Sequence, residues 1–121
     1  MDILELREYC LSLPLAEETT PFDEDTLVYK VGGKMFAMFG ISDFRHVSVK
    51  CDPAEGLELR ERHPEVEGAY HMNKMHWIMM DMRGALGDEF IRDRILVSYR
   101  MVVARLPKKT RQEIEQAWKE E

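Results

Sequence analysis

Gly32-Gly33 lies between two apolar runs, Thr26 to Val31 and Lys34 to Gly40. The first alternates, setting Leu27, Tyr29 and Val31 against Val28 and Lys30, which is the period of a half-buried strand. The second is apolar almost throughout, as a strand covered on both faces would be. So short a link closes antiparallel strands only, because a parallel return needs a crossover of about a dozen residues or more. A third run, Arg45 to Cys51, sets Val47, Val49 and Cys51 against His46, Ser48 and Lys50. These segments commit the chain to an antiparallel sheet.

Helical signals flank them. Asp2 and Glu5 form a capping box, and Ile3, Leu6, Cys10 and Leu13 recur on one face until Pro14 stops the helix. Glu17 to Asp25 is acidic and turn-like. Asp52-Pro53-Ala54-Glu55 supplies an N-cap, a proline at the first helical position and a glutamate at the third, for a helix running to about Arg62. Tyr70 to Met72 and Met75 to Met82 read as a second hairpin turning at Asn73-Lys74. From Asp88 the period becomes helical, with Ile91, Ile95, Ser98, Val102 and Leu106 in one stripe. Pro107 breaks this helix, and Lys108 to Lys119 forms a last one with Ile114 and Trp118. The expected order is α-βββ-α-ββ-α-α. Hairpin-linked strands with helices in blocks define an α+β fold, an antiparallel sheet with helices on one face.

The 121 residues fit one domain spanning 1–121, and 45% apolar against 33% charged residues describes a globular chain. The formal charge is −6, from 17 basic and 23 acidic side chains. That total argues against binding driven by a wholly basic surface, so the layout matters more. Residues 1–25 carry −7, residues 26–50 carry +3, residues 51–80 carry −3, residues 81–112 carry +4 and the last nine carry −3. Solubility of sheet edges and helix faces is the plainer account of the basic segments. The uncharged stretch Met35 to Ser42, which no other exceeds, is far short of the ~20 residues of a membrane helix. Met1-Asp2-Ile3-Leu4-Glu5 has no signal-peptide pattern, so a cytoplasmic protein with no membrane partner is expected. Cys10 and Cys51, lacking CxxC spacing, are expected as reduced thiols, with a disulfide the lesser alternative.

Tyr70-His71-Met72-Asn73-Lys74-Met75-His76-Trp77 is the most unusual segment. With Asn73-Lys74 as the turn, His71 faces His76 and Tyr70 faces Trp77 on opposite sides of the hairpin. A metal site would need Cys51 or Asp81 to join the histidines, and no zinc-type spacing supports one. Aromatic and basic groups together suit anions, nucleotides or a nucleic-acid backbone better. An ordinary hairpin, its aromatics packed on a helix, is the alternative. Lys50 stands where a strand leaves the sheet and could reach a ligand over its end, although such lysines are usually only solvated. A buried Ser98 would ordinarily bond to a carbonyl one turn earlier. Five methionines lie between Met72 and Met82, as adaptable surface or as core filler. No phosphate-binding glycine loop, HExxH, GxSxG or paired-carboxylate motif is present, so the chain is read as non-enzymatic, without cofactor.

Taken together, Pro21-Phe22-Asp23-Glu24-Asp25-Thr26, Lys30-Val31-Gly32-Gly33-Lys34-Met35-Phe36, Val47 to Pro53, Tyr70 to Trp77 and Ser98-Tyr99 resemble the MmcQ/YjbR family of small bacterial proteins. The resemblance spans nearly the whole chain. It implies a two-layer α/β sandwich, α-βββ-α-ββ-α, related in shape to secretion-chaperone-like folds. The family is commonly labelled DNA-binding through a double-wing motif. Here the wings would be the Gly32-Gly33 hairpin with Lys30 and Lys34, and the Asn73-Lys74 hairpin with His71, His76 and Trp77. Lys50 matches the family's strand-end lysine.

The first reading is therefore a DNA-binding monomer using Lys30, Lys34, Lys50, Lys74 and Trp77. Its net charge requires the contact to be local and to fall steeply with salt. The second reading is a module for a small molecule or a protein, with an aromatic and methionine cleft between the second hairpin and the long helix near Ser98 and Tyr99.

Overall fold

The computed structural model describes residues 1–69 and 72–120. Chain order is α1 (Ile3–Ser12), β1 (Glu17–Thr19), β2 (Thr26–Val31), β3 (Lys34–Gly40), β4 (His46–Lys50), α2 (Pro53–Arg62), β5 (Val66–Gly68), β6 (Trp77–Asp81), α3 (Asp88–Val103) and α4 (Lys108–Lys119). The six strands form an antiparallel sheet in the order β1-β2-β3-β4-β6-β5. The helices pack on one face, giving the expected α+β sandwich. No helix among the described residues is long and apolar enough to cross a membrane.

Local chemistry sets the main boundaries. Asp2 accepts the Glu5 amide, and Glu5 returns a bond to the Asp2 N–H, closing the capping box of α1. Asp52 accepts the Glu55 amide at the start of α2, with Pro53 in the first turn. Gly32 and Gly33 have φ of 58° and 80°, the left-handed pair that a twist-matched two-residue hairpin requires. A Cβ on Gly32 would lie 2.7 Å from the Leu106 side chain, so this turn is clamped under the end of α3.

The core joins Leu6 and Cys10 of α1 and Ile91, Ile95, Tyr99 and Val102 of α3 to the inner sheet face. There it meets Tyr29, Val31, Phe36, Ala37, Val47, Val49, Ile78 and Met80. Pairing of β2 with β3 shifts at Tyr29/Lys30: Tyr29 faces Ala37 but Lys30 faces Met35, leaving Phe36 as an extra residue. This bulge sends Phe36 and Ala37 together into the core. Met35 and Met38 stay together on the outer face, where they share a cavity.

Three expectations change. Glu17 to Thr19, read as turn, is an edge strand: Glu18 pairs with Tyr29 and Glu17 with Lys30. The Glu18 carboxylate takes both an Arg7 fork, at 2.8 and 2.9 Å, and the Tyr29 hydroxyl, at 2.5 Å. A polar tripeptide becomes a strand because its side chain links α1 to β2. The order is thus α-ββββ-α-ββ-α-α.

Second, the partner of β6 is Val66–Gly68, not Tyr70 to Met72, with Gly68 opposite Ile78. The Ala69 amide donates to the Trp77 carbonyl, continuing the β5–β6 pairing, and Asn73-Lys74 do not form a two-residue turn. Instead the Asn73 carbonyl accepts from His76 and Trp77, and its side chain accepts from Met75. The expected facing of His71 and His76 falls partly on Tyr70 and His71, which lie outside the described residues. Third, Ser98 does not bond within its own helix. Its hydroxyl donates to the Phe36 carbonyl on β3 and accepts the Lys50 amide on β4.

Candidate functional site

Cations gather at the end of the sheet where β4 runs out. Lys50 is the last residue of β4 and sits directly opposite Trp77, the first of β6, so their side chains leave the same face. The next amide, Cys51, donates to the His76 carbonyl at 2.8 Å and continues the ladder one step. Lys34 opens β3 just after the glycine turn. The contact of Leu106 with Gly32 brings Arg105 beside that turn. Lys34, Lys50 and Arg105, with Met35, Trp77, Val102 and Leu106, line a cavity of about 340 Å³.

No carboxylate lines this cavity, and none of its cations forms an ion pair among the described residues. Three positive groups around one aromatic side chain attract an anion, and field lines concentrate in such a concavity. A second groove, of about 630 Å³, adjoins it across the shared Met35 and Trp77. Phe22, Asp23, Thr26, Met38, Met72 and Asn73 complete its lining on the outer sheet face.

The sequence candidates divide accordingly. Lys34, Lys50 and Trp77 come together in the cationic cavity, and Asn73 lines the adjoining groove. Lys30, on the outer face, is paired in register with Glu17 and is not among the residues around that cavity. Lys74 and His76 are exposed on the loop before β6, and His76 joins the ladder through its carbonyl. His71 lies outside the described residues. Ser98 is fully buried with its hydroxyl bonded on both sides, so it positions Lys50 rather than facing a ligand. Tyr99 does line a cavity of about 390 Å³, but between α3 and α4, with Val103, Ile114 and Trp118, whereas Trp77 meets the long helix at Val102 in the cationic cavity.

Arg105 was not singled out by sequence, and Phe22 only as part of the Pro21-Phe22 segment of the resemblance, not as a site residue. Arg105 precedes Leu106, the last apolar residue of the α3 stripe, and that neighbour was its one visible signal. Phe22 had no periodic signal; it stands 63% exposed in the turn before β2.

On the helix side of the sheet, Arg94 is buried within α3. It pairs with Glu55 of α2 and donates to the Cys51 sulfur at 3.2 Å. Burial raises the Cys51 thiol above its ordinary range despite the guanidinium, and pushes Cys10 up to about 12. Both cysteines are free and buried.

An antiparallel sheet backed by helices, with a cationic cavity at its open end, defines a small α+β protein with a concave cationic site. The YjbR family model matches residues 11–101. The uncharacterized protein YjbR of Escherichia coli strain K12 is 35% identical over 112 residues, covering 92% of this chain and 95% of its own. The uncharacterized protein YbdF of Escherichia coli O157:H7 is 30% identical over 109 residues, 89% of each chain. The crystal structure of a Deinococcus radiodurans protein with a DUF419 domain superposes with a TM-score of 0.86 at 37% identity, covering 93% of this chain and 87% of that one. A Pseudomonas syringae protein superposes at 0.71 with 25% identity, covering 84% and 99%. The chain belongs to the YjbR family.

Proposed function

We propose that this protein is a non-enzymatic nucleic-acid-binding protein, with DNA as its ligand, engaged through the cationic cavity at the sheet end. The observation that carries the reading is the convergence of Lys34, Lys50 and Arg105 around Trp77 in a cavity without a carboxylate. Lysine and arginine pair with phosphate, while an indole offers a face on which any base can stack. A net charge of −6 denies the protein a general attraction to DNA, so binding rests on this local cluster. Lys74 on the neighbouring loop adds charge at the rim.

A salt titration tests the reading. With about three phosphates neutralised, the slope of log K against log[salt] should be roughly −2 to −3. Affinity then falls roughly 16- to 64-fold between about 50 and 200 mM salt. Lys34→Glu combined with Arg105→Glu should abolish binding. Lys109→Glu, on exposed α4, changes the charge equally for one site and should leave binding nearly intact. Absence of binding to any DNA at low salt would end the proposal.

A further inference from the structure

The groove beside the cationic cavity has a polarity of its own. Met35 and Trp77 belong to both linings, so the two concavities adjoin across these two side chains. At one end stand Lys34, Lys50 and Arg105; at the other stand Phe22, Met38 and Met72, with Asp23 and Asn73. A phosphate is repelled by Asp23 and drawn to the cations, so an elongated ligand enters in one sense only.

The polar groups at the far end are partly committed. The Asn73 side-chain oxygen accepts the Met75 amide, which leaves its NH2 as a donor. One Asp23 oxygen accepts the Asp25 amide, and the other remains an acceptor. A donor and an acceptor set among an aromatic ring and methionines match the edge and faces of a nucleobase.

A base stacked and paired within a duplex exposes neither its faces nor its pairing edge. A duplex would also bring its phosphates against Asp23, which lines the groove itself. Resting on the nucleic-acid reading above, we infer that the adjoining concavities take an unpaired nucleotide of a single strand. Its phosphate lies among Lys34, Lys50 and Arg105, and its base lies against Trp77 toward Phe22.

The test uses the full chain with Trp118→Phe, so that Trp77 is the remaining tryptophan of the two. Three probes are compared at low salt: a single strand of about 12 nucleotides, its abasic counterpart, and the blunt duplex of the same sequence. The single strand should quench Trp77 fluorescence and bind about tenfold tighter than either other probe. Trp77→Ala should remove that advantage while abasic binding persists. Phe22→Ala, at an exposed side chain with no part in the core, should weaken single-strand binding without touching the fold. Equal affinity for all three probes would overturn the base seat and leave nucleic-acid binding standing. No binding of any probe would overturn both.

Discussion

The Lys50 amide donates to the Ser98 hydroxyl at 2.8 Å, and that hydroxyl donates onward to the Phe36 carbonyl at 2.6 Å. Ala37 pairs with Val49, so the next step of the ladder would set Phe36 opposite Lys50. The bulge in β3 falls at that step, and a helix side chain fills the interrupted rung. The strand end that presents Lys50 is therefore held from α3.

Ser98→Ala should leave a buried N–H and a buried carbonyl without their partner. A loss of about 1–3 kcal/mol is expected, read as a lower urea midpoint with unchanged slope. DNA affinity should fall as well, since the Lys50 backbone loses its anchor. An unaltered midpoint would show that the rung carries no stability.

Gly32→Ala should cost more than Gly33→Ala. Both positions need positive φ, at about 1–2 kcal/mol for an L-residue. Only the first also drives a methyl to 2.7 Å from Leu106, whereas the second meets open space. Thermal unfolding of the two variants measures the difference.

Glu18 makes stability depend on pH in a definite direction. The Arg7 guanidinium, with help from the Tyr29 hydroxyl, holds this carboxyl below the usual glutamate range. Its contribution is complete above the unfolded-state value and is lost as pH falls through the lower folded-state value. Glu18→Gln should destabilise by about 1–2 kcal/mol at neutral pH, and the difference should shrink in acid. Paired urea titrations near neutral pH and in acid check this.

Cys10 and Cys51 should be silent toward a thiol reagent in the folded protein and react together on unfolding. Burial keeps both as thiols at mildly alkaline pH. A fast native-state reaction at either position would contradict the packing.

Much of the architecture was legible because its signals are local. Asp52-Pro53, Gly32-Gly33 and the alternation at Val47 and Val49 each act within a few residues. The edge strand at Glu17–Thr19 was not, because its side-chain partners, Arg7 and Tyr29, lie 11 residues away on either side. The hairpin before β6 was misplaced because Tyr70-His71-Met72 has stronger β character than Val66-Glu67-Gly68. Pairing along β6 favours the latter. The site was half legible: Lys34, Lys50 and Trp77 sit at strand ends that periodicity locates. Arg105 reaches them through the contact of Leu106 with Gly32, which lie 74 residues apart in sequence.

The extra residue at Phe36 acts as a phase shift in β3. Were Phe36 itself to take the place opposite Lys30, the bulge would vanish, but Phe36 and every residue back to the turn would exchange faces. Phe36 would leave the core, and Met35 would turn inward, away from the lining it shares with Trp77. The hydrophobic interior and the cationic cavity are thus set by the same single count of residues, so neither can be re-registered without the other.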